Sequence, residues 1–103
     1  MVSGRYFRAV LEVEVEPGTE EAFERAWLAV ARRIAGHPGN LGQWLMRGDD
    51  AYYIFTDWTD EDTFRRFETS EEHRRNRELL APYRTGGKMI TMRPVYELTT
   101  GEA

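Results

Sequence analysis

Two short apolar runs, Leu41 to Arg47 and Ala51 to Trp58, separated by Gly48-Asp49-Asp50, limit the possible folds more than any other feature. A glycine beside two aspartates between β-prone runs is a hairpin turn. Successive side chains of a strand point to opposite faces. Trp44 and Met46 therefore share one side, with Leu41 and Leu45 on the other; Tyr52, Ile54 and Trp58 share one side, with Tyr53 and Phe55 on the other. Both faces of the hairpin are apolar, so the sheet that contains it needs cover on both sides. A chain of 103 residues is one domain, 1–103 with a core of about 5–98, and a domain this small exposes much of its surface unless it associates. One sheet face is expected to carry helices and the other a second copy of the chain, which gains roughly 25 cal/mol per Å² of apolar area buried.

The flanking segments supply the rest of the sheet and its helices. Phe7, Ala9, Leu11, Val13 and Val15 alternate with Arg8, Glu12 and Glu14, a half-buried strand from Tyr6 to Val15. Pro17-Gly18-Thr19 interrupts it; Thr19 is placed to accept the free amides of a helix whose stripe is Phe23, Ala26, Trp27, Val30, Ala31 and Ile34, stopping at Gly36. Thr59 with Asp62 predicts the cap of a short helix carrying Phe64 and Phe67, and Ser70 restarts a helix that ends near Pro82. Gly86-Gly87 reads as the turn into a last strand, Lys88 to Leu98, with Pro94 at an edge or bulge. The order β-α-β-β-α-β is an α+β, ferredoxin-like unit: one antiparallel sheet with its helices on a single face.

Composition removes several function classes. The chain has no cysteine, hence no disulfide, thiolate metal site or cysteine nucleophile. Two separated histidines with scattered carboxylates give no metal-ligand spacing. Met1 to Arg5 has no apolar leader core and no segment approaches ~20 apolar residues, so a cytoplasmic location with no membrane span is expected. A net charge of -4 provides no basic field for nucleic acid. The arginines between Arg65 and Arg77 interleave with Glu68, Glu71, Glu72 and Glu78, the pattern of a solvated helix face; docking of an acidic acyl carrier protein is the functional alternative.

The segment His37-Pro38-Gly39-Asn40-Leu41-Gly42-Gln43-Trp44-Leu45-Met46-Arg47, with Tyr52 to Trp58, Ser70-Glu71-Glu72-His73-Arg74 and Pro82-Tyr83-Arg84-Thr85-Gly86-Gly87, resembles the antibiotic biosynthesis monooxygenase family, in particular its aromatic-polyketide and spore-pigment branch. The resemblance implies a homodimer of the dimeric α+β barrel type. It also implies oxidation of a small polycyclic phenol or anthrone to a quinone, with O₂ as co-substrate and no flavin, haem or metal. The family's quinone-forming members place a Trp in the substrate pocket at the position of Trp58 and an Asn four residues before it, where this chain has Ile54. A cyclase or folding assistant for a reactive poly-β-ketone, and a non-enzymatic dimeric binding module, are the other readings of the same fold.

The expected site follows. Trp58 and His73 are the candidate catalytic residues, His73 as a proton shuttle because an imidazole titrates nearest neutrality. His37, at a helix end, is read as structural. Trp44, Phe64 and Phe67 are expected as aromatic walls, Tyr83 and Arg84 as anchors for a phenolate or carboxylate, and Asn40 and Gln43 as polar contacts; Asn40, Gln43 and, on the second helix, Asn76 are the alternative amides to take the place of the missing Asn.

Overall fold

The computed structural model describes residues 6–100; Arg5, the first residue of the expected core, lies outside the described residues. The chain runs β1 Phe7–Val15, α1 Glu20–Ala35, β2 Asn40–Arg47, β3 Tyr52–Trp58, α2 Glu61–Glu68, α3 Glu71–Leu80, a 3₁₀ turn Ala81–Tyr83 and β4 Arg84–Met92. The four strands form one sheet in the order β2-β3-β1-β4, every neighbouring pair antiparallel. This is the ferredoxin-like α+β architecture.

Alternation decides which face the helices cover. Phe7, Ala9 and Val13 of β1 and Tyr52, Ile54 and Trp58 of β3 are buried with Phe23, Val30 and Ile34 of α1, Phe64 and Phe67 of α2 and Leu80 of α3. Glu20 and Glu21 open α1 and Arg32 and Arg33 close it, each complementing the helix dipole. Trp58 and Phe23 have no exposed surface; side chains buried to that degree contribute about 2–3 kcal/mol each by transfer alone.

Local chemistry moves several boundaries. Asp60, not Thr59, caps α2: its extended backbone lets the carboxylate accept from the Thr63 amide at 2.8 Å, while the Thr59 amide donates to the Gly39 carbonyl. Thr19 does not cap α1 with its side chain; its hydroxyl donates to the Glu16 carbonyl, and the Glu20 carboxylate accepts from the Gly18 amide. Ser70 caps α3 as expected, accepting from the His73 amide. The last strand starts four residues earlier than expected and ends at Met92. Gly86 and Gly87 lie inside it, facing Glu14 and Val13, with neither at positive φ, and Pro94 follows the strand because it has no ladder donor. Gly87 is there for proximity: a Cβ would stand 2.4 Å from the Glu12 carbonyl oxygen and 3.1 Å from the Arg84 guanidinium.

The second sheet face has no helix. Trp44 pairs with Phe55 and Met46 with Tyr53, Val10 lies opposite both Phe55 and Ile90, and Arg8 lies opposite Met92. Trp44, Met46, Ile90 and Met92 are all exposed. Among them the Arg8 guanidinium makes a two-pronged bond to Asp57, at 2.7 and 2.8 Å, with the rings of Tyr6, Trp44 and Phe55 within 5.3–5.8 Å of its carbon. Rings and carboxylate together desolvate the pair and leave Asp57 buried.

Candidate functional site

Between the covered sheet face and the helices lies a cavity of about 280 Å³. That is roughly twice the 150 Å³ cavity that takes benzene, room for a fused ring system. Trp58, Phe64 and Phe67 form one aromatic wall, the Trp58 and Phe67 rings 4.8 Å apart and Trp58 and Phe64 5.9 Å apart. Leu11, Trp27, Ile54 and Met89 continue the apolar lining. Trp58 closes β3 with its indole N–H donating to the Thr56 hydroxyl at 2.9 Å, so its position is fixed by both packing and a hydrogen bond.

The cavity lining also has polar members, among them Gln43, Glu68, His73, Asn76, Arg77 and Arg84. Because Ser70 fixes the start of α3, His73 falls in the first turn and its ring packs on Phe67 at 4.4 Å between centroids. Residues 73, 76, 77 and 80 share one face of α3 at helical spacing, so Asn76, Arg77 and Leu80 follow His73 into the cavity wall. Asn76 is fully buried; its Oδ1 accepts from Arg33 of α1 at 3.4 Å and its Nδ2 lies 3.5 Å from Nδ1 of His73. Burial first, and the positive Arg77 second, push the His73 imidazole from its ordinary 6.5 down to about 4. The ring is therefore neutral at physiological pH, and a conjugate acid that strong makes it a poor acceptor for a phenol or carbon proton. Arg77 donates to the Glu68 carbonyl, while the Glu68 carboxylate pairs with Arg65. Among the described residues neither Arg77 nor Arg84 is in an ion pair and Glu68 is already paired, so the polar part of the cavity lining is net cationic.

The structure brings together six of the nine expected site residues: Trp58, His73, Phe64, Phe67, Gln43 and Arg84 all line this cavity. Gln43 donates to the Ala31 carbonyl at 2.8 Å, tying β2 to α1. Three fall elsewhere. Trp44 is on the uncovered sheet face, folded over Gly42 where a Cβ would stand 2.8 Å from the indole. Asn40 sits at a bulge that leaves Leu41 unpaired, its amide directed at the Asp57 and Gly42 carbonyls. Tyr83 packs against the core from the 3₁₀ turn, where its carbonyl accepts from Glu16. His37 is also internal, its ring edge-on to Trp58 and Phe67 with Nδ1 buried and unpartnered, instead of meeting the helix-end carbonyls. Thr56, Glu68 and Arg77 were not anticipated.

The remaining surface offers less. Arg65, Arg74 and Arg75 pair with Glu61, Glu68, Glu71 and Glu78 within their own helices, as a solvated face does. Among the described residues no three His, Asp or Glu side chains converge as metal ligands, and no helix is long and apolar enough to cross a membrane.

The fold recurs widely among solved structures. SnoaB, a cofactor-independent oxygenase from Streptomyces nogalater, superposes with a TM-score of 0.76 at 24% identity, covering 95% of this chain and 99% of that one. A candidate antibiotic biosynthesis monooxygenase from Bordetella bronchiseptica gives 0.81 at 20% identity over 89% of this chain and 99% of that one. A conserved protein from Methanosarcina mazei gives 0.77 at 14% over 87% and 93%. Identities this low speak for the shared fold alone, and no curated protein matches the sequence. The family model for antibiotic biosynthesis monooxygenases matches residues 6–79, well over half of the chain, and the chain belongs to that family.

Proposed function

We propose that the protein is a cofactor-independent monooxygenase that oxidises a polycyclic phenol or anthrone of aromatic-polyketide origin to a quinone. The observation that carries this reading is the cavity itself, whose lining combines aromatic walls from Trp58, Phe64 and Phe67 with the cationic, hydrogen-bonding side chains of His73, Asn76, Arg77 and Arg84. A flat phenol fits such a site with its rings on the apolar wall and its oxygen toward the polar side chains. An electron-rich anthrone that has lost a proton from its methylene carbon reduces O₂ directly. The first proton returns to the distal oxygen of the resulting carbon peroxide, and the hydroperoxide loses the second carbon proton and hydroxide, leaving a carbonyl and water. What the protein supplies is a dry pocket, orientation, and stabilisation of the anion. Trp58 and His73 are the residues assigned to the reacting ring.

The uncovered apolar sheet face supports a homodimer, in which a two-fold copy covers Trp44, Met46, Ile90 and Met92. One observation favours a second reading. Ile54 lines the cavity and offers no hydrogen bond where the quinone-forming relatives have an Asn, as befits a pocket that only confines a poly-β-ketone for aldol closure. Oxygen uptake with an anthrone substrate decides between them. The monooxygenase reading expects uptake well above the protein-free rate, whereas uptake at that rate together with altered cyclised products from a reconstituted synthase gives the cyclase.

A further inference from the structure

The buried amide of Asn76 has only one workable orientation. Arg33 carries donors and no acceptor, so the atom of Asn76 that meets it must be the carbonyl oxygen, Oδ1. The amide nitrogen then faces Nδ1 of His73. An amide nitrogen only donates, so Nδ1 must be the ring's bare, accepting nitrogen, and in a neutral imidazole the single proton then sits on Nε2. Nε2 has no hydrogen-bond partner among the described residues, and the ring lines the cavity. The charged groups on the elements around it are Arg33 on α1, Glu68 on α2, Arg77 on α3 and Arg84 on β4, and Glu68 is already paired with Arg65.

We propose that an Arg33–Asn76–His73 relay holds His73 as the Nε2–H tautomer, and that His73 serves the cavity as a hydrogen-bond donor to an ionised aromatic oxygen, beside Arg77 and Arg84, instead of as a base. His73 is then the group that touches the ligand, and Asn76 and Arg33 are positioning residues. The ligand class narrows to planar aromatics that carry a phenolate or enolate oxygen at one edge, since a neutral ring N–H and two cations stabilise that charge together. This rests on the reading of the cavity as the aromatic site.

The tautomer is measurable without any ligand, by nitrogen NMR of the full chain with labelled histidine, each ring assigned through bonds to its own backbone. At pH 7 His73 is expected to show protonated Nε2 and bare Nδ1. In Asn76→Asp the donor toward Nδ1 becomes an acceptor, and the pure Nε2–H form is expected to disappear. A wild-type ring protonated at Nδ1, or mixed, overturns the relay; should Asn76→Asp not fold, the wild-type spectrum decides alone. The oxyanion role is tested with alizarin, a flat hydroxyanthraquinone whose colour reports phenol ionisation. Wild type is expected to bind the ionised form about tenfold more tightly, a lowering of its phenol pKa by about one unit, and His73→Phe to lose most of that shift. Saturable binding that moves the His73 resonances with no preference for the ionised form overturns the donor role. Binding that leaves those resonances unmoved overturns it through the site reading, with the tautomer result standing separately.

Discussion

The two faces of the sheet are built from the same alternation yet have opposite fates. On the helix side Trp58 is fully buried and walls a cavity; on the bare side Trp44, midway along the partner strand of the same hairpin, is 41% exposed. The helix side sets polar groups among the apolar residues that line a hollow. The bare side places a bidentate ion pair, Arg8–Asp57, beside exposed rings near one end of the sheet. Burial is thus set by which strand parity meets the helices, and the side chain's own hydrophobicity does not decide it.

The sharpest way to break this contrast is paired truncation. Trp58→Ala is expected to cost about 3–5 kcal/mol in chemical denaturation, whereas Trp44→Ala costs under ~1 kcal/mol in the lone subunit and instead weakens self-association in sedimentation. Equal losses at the two positions contradict the asymmetry. Next in size is Asp57→Ala, which strands the Arg8 guanidinium among aromatic rings; a loss of about 1–3 kcal/mol is expected, with Asp57→Asn recovering part of it.

The helix side also carries a pH signature, from His73. His73 in the folded chain titrates near 4, below its ordinary 6.5, so between those values the unfolded chain binds more protons. Stability from the neutral ring is present in full above about 6.5 and is lost as pH falls toward 4. After allowance for the part of the ring that reaches solvent, the loss is about 1–2 kcal/mol, and His73→Leu is expected to flatten that limb of the stability–pH curve. Smallest are the helix-surface pairs: Glu78→Ala, removing a solvent-screened partner of Arg74, is expected to leave the denaturation midpoint nearly unchanged. For function, Ile54→Asn adds a cavity hydrogen bond and is expected to raise oxygen uptake with anthrone; an unchanged rate favours confinement chemistry.

How much of this was legible in the sequence follows from what each element buries. β1, α1 and the hairpin were readable because their periods of two and 3.6 are carried by large apolar residues. The start of β4 was not, because Gly86 and Gly87 signal a turn wherever nothing shows that Glu14 crowds the first and Glu12 and Arg84 the second. Trp44 was misplaced for want of register: pairing it with Phe55, which the alternation already set opposite Trp58, sends it to the bare face. At the site, the aromatic wall was legible and the polar lining only in part. His73, Asn76, Arg77 and Leu80 do share a helical face, but three of the four are polar, and a polar stripe inside a helix otherwise rich in charge looks like solvent.

The central claim is that a flat aromatic molecule occupies the hollow under the helices and not the bare face. It is tested most directly by titrating anthrone, without oxygen, into the protein while following the indole N–H resonances of Trp58 and Trp44. Saturable shifts of Trp58 together with His73, with Trp44 unmoved, are expected. Shifts of Trp44 with Trp58 silent would contradict the account.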